Sequence, residues 1–188
     1  MPLPRGNLMT PVGVTAAGVL QALLCDADGR LVVSGTFGLY DAYVCVRDVK
    51  AAGVNGGTFT SGAWRIRDIN DEQADTANIC TIAGNVITLA AGTYQCRIAC
   101  PGVTTRGHQA RLYDNTADEV VIAGTSSGAG SVYTTATSVI IGRFTLSEES
   151  ALQVEHRCEL TRLDSGMGRK VGWTEVEVYT VAEFWREA

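Results

Sequence analysis

The feature that most constrains this chain is a rhythm of short apolar–polar alternating runs cut by turn residues every eight to twelve positions from Tyr40 onward. In a strand successive side chains point to opposite faces, so such runs bury one face and wet the other. Strands are expected at 40–49, 58–70, 80–82, 86–89, 93–100, 109–113, 120–123, 131–146, 151–160 and 174–185. Between them lie Gly84-Asn85, Ala91-Gly92, Pro101-Gly102, Asp114-Asn115, Gly128-Ala129-Gly130 and Asp164-Ser165-Gly166. This spacing marks an all-β sandwich or barrel. After Pro11 the only proline is Pro101, placed at a strand end, so the ladders stay intact.

Composition agrees. Val (20), Ile (9) and Thr (20) supply 49 of 188 residues, and these β-branched side chains suit pleated, half-buried surfaces. A net charge of -5 excludes the basic footprint of a non-specific nucleic-acid binder. No run of about 18 apolar residues is present, so no spanning helix and no membrane insertion are expected. Heptad and collagen-like repeats are absent, so no fibrous shaft is encoded.

The first ten residues, rich in proline, read as an arm. Residues 15–25 fit either a short helix capped by Thr15 or a strand; the hairpin reading is preferred, with Val19–Cys25 turning at Asp26-Ala27-Asp28-Gly29 into Arg30–Ser34. Asp26-x-Asp28-Gly29 resembles the start of a calcium loop, but the later ligands are missing and turn chemistry explains both aspartates. Val12–Leu24 before Cys25 imitates a lipoprotein signal; Pro11, two glycines and the large Leu24 argue against it.

Six cysteines stand at 25, 45, 80, 96, 100 and 158. Cys96 and Cys100 share a strand face about 13 Å apart, too far for a bridge, and no Cys-x-x-Cys pair seeds a zinc site. They read as free core cysteines in a reducing compartment. His108 and His156 fall on inward faces and read as core histidines. A Cys158–histidine nucleophile would need an electropositive, exposed pocket, whereas its neighbours are apolar. Gly124–Gly130 lacks the lysine of a phosphate loop and reads as a flexible β–β loop. No catalytic residue, metal ligand or cofactor is expected.

The blocks Gly53–Asn70, Ile87–Tyr94, His108–Tyr113, Ile141–Phe144, Val154–Cys158 and Thr174–Tyr179, in that order, resemble the jelly-roll domains of the tumour-necrosis-factor/C1q type found in bacteriophage structural and fibre proteins. The likeness covers about residues 47–187. It implies an antiparallel two-sheet jelly-roll sandwich at 47–188, carried behind an attachment arm and β-hairpin at 1–46. It further implies a homotrimer on the outside of a phage particle, made in the bacterial host cytoplasm, with no catalytic residues to carry over. Two roles compete within that class. One is a capsid decoration, cement or head-fibre protein bound to the major capsid protein. The other is a tail-associated protein that recognises a host surface glycan. A soluble carbohydrate-binding module is a third reading.

The faces opposite the core supply the candidate site residues. Gln109, Arg111 and Tyr113 share one face of their strand, and Glu155 and Arg157 share one face of another. Arg outnumbers Lys 13 to 2, and Arg is favoured at interfaces while Lys is depleted. These five residues are therefore expected at a subunit interface. Tyr133, and Trp173 beside Gly172, are expected as loop aromatics able to stack on sugars.

Overall fold

The computed structural model describes residues 39–130 and 134–188, together with the backbone of four short strands nearer the N-terminus. Those four form two small pairs. β1 (Val12–Val14) lies antiparallel to β2 (Leu20–Ala22), and β3 (Leu24–Cys25) to β4 (Leu31–Val32). Cys25 opposite Leu31 brackets the Asp-x-Asp-Gly stretch, which itself lies outside the described residues. Contacts divide the chain into two units, 1–37 and 38–188. The larger unit therefore includes 40–46, which the sequence reading had grouped with the arm.

Twelve strands build that larger unit. They are β5 (Tyr40–Lys50), β6 (Arg65–Ile66), β7 (Asp71–Asp75), β8 (Cys80–Ala83), β9 (Val86–Leu89) and β10 (Gly92–Val103). β11 (Arg106–Asp114), β12 (Glu119–Ala123), β13 (Ser127–Ala129), β14 (Thr135–Leu146), β15 (Ser150–Cys158) and β16 (Glu177–Glu187) follow. One sheet has the order β14-β10-β16-β5-β7. The other runs β12-β11-β15-β9-β8, with β13 paired to β11 and β6 to β15. All pairings are antiparallel, and this is the expected two-sheet jelly roll.

The core lies between the sheets because each long strand keeps its alternation. Val44, Val46, Tyr94, Ile98, Ile140, Phe144 and Phe184 from one sheet meet Ile87, Leu89, Leu112, Leu152 and Val154 from the other. β16 occupies the middle of its sheet, with Phe184 opposite both Val44 and Cys96. Gly84 and Asn85, both at positive φ, close the two-residue turn between β8 and β9. That is the turn type whose twist matches a hairpin. Pro101 sits inside β10, but past Ala99 that strand no longer pairs with β16, so one ladder is spared its missing N–H.

Three segments depart from the expected pattern. The run 58–70 forms only β6 and an isolated bridge between Phe59 and Arg162. β7, Asp-Glu-Gln-Ala-Asp, has almost no apolar residue to signal it; it is an edge strand held by β5, and its charges suit an edge. The Gly124–Gly130 stretch is not a free loop, since Ser127–Ala129 pairs with Arg106–His108.

Candidate functional site

The outward face of the seven-stranded sheet gathers the polar residues singled out above. β11 and β15 pair so that Gln109 lies opposite Arg157 and Arg111 opposite Glu155. Arg111 Nε donates to Glu155 Oε2 at 2.6 Å. The Arg111 guanidinium also stacks over two aromatic rings, 4.2 Å from the centroid of Trp64 and 4.7 Å from that of Tyr113. The Gln109 amide donates to the Gly124 carbonyl at 2.8 Å. The five residues thus form one connected patch, each charge on Arg111 and Glu155 answered within the subunit.

Trp64 is the member that sequence reasoning missed. It precedes Arg65, which pairs with His156, so it stands one step further along the same edge of β15, beside Arg157. Alternation through Trp64-Arg65-Ile66-Arg67 was legible. The long-range pairing that brings Trp64 over Arg111 was not.

Of the two loop aromatics expected to stack on sugars, the described one, Trp173, is not among the residues around Arg111 and Trp64. Trp173 is 76% exposed on the segment before β16. The Glu177 carboxylate secures that segment by accepting N–H bonds from Gly172 at 2.9 Å, Val171 at 3.1 Å and Gly53 at 3.2 Å, and these hold its pKa low, Gly172 contributing most. Tyr133 lies outside the described residues.

Between the sheets, His108 Nδ1 and His156 Nε2 share a hydrogen bond of 2.9 Å, while His108 Nε2 and His156 Nδ1 have no partner among the described residues. Both rings are buried, as their strand faces required. Burial lowers the pKa of each, that of His156 to about 2, and the nearby Arg67 guanidinium pushes the same way. The imidazoles are therefore neutral.

Arg67 is itself 1% exposed and, among the described residues, reaches no carboxylate by hydrogen bond. Its Nε donates to Thr180 Oγ1 at 2.8 Å, Nη1 to the Pro101 carbonyl at 3.1 Å and Met167 Sδ at 2.8 Å, and Nη2 to the Met167 carbonyl at 2.7 Å.

The thiols are likewise unreactive forms. Cys45, Cys80, Cys96, Cys100 and Cys158 are free and buried. Burial raises the pKa of Cys80 to about 12 and those of Cys96, Cys100 and Cys158 to about 11. Cys158 Sγ points to the Leu160 carbonyl at 3.4 Å. Among the described residues no group of three or more His, Cys, Asp or Glu side chains is placed to hold a metal ion, and no helix is long and apolar enough to cross a membrane.

No family model matches the chain, and no curated protein matches it. Solved structures do. Murine APRIL at pH 5.0 is 8% identical with a TM-score of 0.51, the match covering 77% of this chain and 98% of that one. The globular domain of the zebrafish complement 1qA protein is 15% identical, with 78% and 96% covered and a TM-score of 0.45. The PRD1 vertex protein P5 is 13% identical, with 80% and 100% covered and a TM-score of 0.49. The fold is a jelly roll of the tumour-necrosis-factor/C1q type. At these identities the likeness is one of architecture.

Proposed function

We propose that this protein is a non-enzymatic structural protein of a bacteriophage particle, a homotrimeric jelly roll displayed on the particle surface as a decoration or head-fibre protein. Residues before the jelly roll attach it to the major capsid protein. The phage assignment rests on the ordered sequence blocks.

One observation carries the assembly: the outward face of the five-stranded sheet is rich in side chains that a partner would cover. Val139, Ala99 and Val181 form a continuous row across β14, β10 and β16. Ile141 beside them is 67% exposed. The Trp185 ring lies 5.5 Å from Tyr43 and 6.5 Å from Tyr40 on the same face. An apolar row with aromatics and Arg97–Glu183 alongside matches the make-up of an interface core and its rim. Sequence alone suggested an interface at Gln109, Arg111, Tyr113, Glu155 and Arg157. Because Arg111 and Glu155 satisfy one another within a subunit, the proposal places assembly on the five-stranded sheet and leaves that patch outward.

The test is sedimentation of the full chain and of residues 38–188 with empty phage capsids. The cut falls before β5, since removing 40–46 would halve a strand. A trimer in both forms, with capsid binding only by the full chain, is the expected result, and Val181→Asp should dissociate it. Full-length protein that ignores capsids and adsorbs to bacterial cells would establish the second reading, a tail-associated receptor binder. The exposed Trp173 favours that reading most directly.

A further inference from the structure

We infer that the cleft beside Trp64, on the outward face of the seven-stranded sheet, is a binding site for a neutral saccharide. The cleft measures about 390 Å³, within the usual span of small-ligand sites. Trp64, Gln109, Ser126, Ser127, Arg157 and Glu159 line it.

Its walls are fixed by a supporting layer. Arg111, anchored on Glu155, braces Trp64 from one side. Gln109 is held by the Gly124 carbonyl through its amide nitrogen, which leaves its oxygen free to accept. Glu159 lies against the backbone at Gly107 and accepts its N–H at 3.2 Å. A Cβ at Gly107 would come within 2.7 Å of Glu159 Oε1, so a larger residue there would move the exposed end of that side chain aside. Side chains held by packing and second-layer hydrogen bonds are what a binding constellation needs. Arg157, by contrast, is exposed and makes no ion pair among the described residues.

The chemistry selects the ligand class. An indole offers an apolar face to the C–H face of a pyranose. Sugar hydroxyls both donate and accept: Glu159 and the Gln109 oxygen accept from them, Arg157 donates to them, and the two serines do either. Arg157 and Glu159 cancel in charge, which disfavours phosphate and sulfated polyanions. The inference stands on the cleft and needs only that this face stay open in the assembly, so it can fail without the virion assignment failing, and the reverse.

Full-length protein should be titrated with the methyl glycosides of glucose, galactose, mannose, N-acetylglucosamine and rhamnose at millimolar concentrations, using saturation-transfer NMR and calorimetry. At least one should bind. Trp64→Ala and Arg157→Gln should each weaken it by about tenfold or more, the scale of one lost stacking or charged hydrogen-bond contact. Trp64→Phe should retain most binding, Gly107→Ala should lose it by displacing Glu159, and Trp173→Ala should change nothing. Arg157 is exposed, so its variant folds even where Trp64→Ala does not. Silence from the whole panel, affinity indifferent to Arg157→Gln, or binding lost in Trp173→Ala would each overturn the site.

Discussion

The two ends of the sandwich interior are built from different materials. At one end Tyr94, Phe144 and Phe184 pack ring against ring, with centroids 5.5 and 6.3 Å apart, and Ile87, Leu89 and Leu152 close over them. At the other end the same strands, a few residues along, deliver Thr180, His108, His156 and Cys158, and the space between them is filled by Arg67. Phe59 and Met167 supply the apolar remainder there. The first end is held by area removed from water and is indifferent to acid. The second is held by hydrogen bonds whose every loss leaves a buried polar group stranded, and it must keep its imidazoles neutral.

The largest effect should come from the apolar end. Phe184→Ala empties a fully buried site on the central strand and should cost about 3–5 kcal/mol in urea unfolding, equally at pH 7.5 and pH 5. A pH-dependent cost would break the comparison. At the polar end, Arg67→Lys keeps the charge but not the planar fork that reaches Thr180, Pro101 and Met167 together. It should cost about 2–3 kcal/mol by leaving acceptors unmatched, whereas a side chain held by charge alone would tolerate it.

Acid should then act on the polar end selectively. The folded state depresses both histidine pKa values, so the unfolded chain binds protons that the folded one refuses, and the stability present at neutral pH is lost as pH falls below about 6.5. For His156 alone the slope below pH 6 should approach about 1.4 kcal/mol per pH unit. Asp48, its pKa raised by burial, offsets part of it. Urea midpoints at pH 7.5, 6 and 5 measure the slope, and His156→Gln should flatten it. The smallest effect lies outside both ends: Arg111→Ala on the half-exposed patch should cost about 1 kcal/mol or less by the same unfolding measurement.

The contrast also explains what could be read in the chain. The apolar end declares itself by alternation, because Tyr94, Cys96 and Ile98 each face the core regardless of what lies opposite. The inward turn of His108 and His156 was legible on the same grounds. That they meet each other was not, since the pairing joins residues 48 apart in sequence. Arg67 was still less visible: a guanidinium reads as surface until its acceptors, 34 to 113 residues distant, are in place. The polar β7 gives no periodic signal at all, its strand character being conferred by the edge of β5. The patch around Arg111 was half legible, its faces known and its Trp64 lid unknown.

The central position of β16 has a consequence for synthesis. Tyr43 on β5 hydrogen-bonds to Glu183, 140 residues later, so β5 leaves the ribosome without the strand that will flank it on one side. At the usual elongation rate of about 5–20 residues per second, the interval lasts many seconds. Until β16 is made, β5 and then β10 each present a bare edge of unpaired backbone N–H and C=O groups to every other nascent copy on the same message. Several ribosomes reading one transcript therefore hold sibling chains with matching vacancies close together, and closure of the jelly roll competes with strand exchange between them.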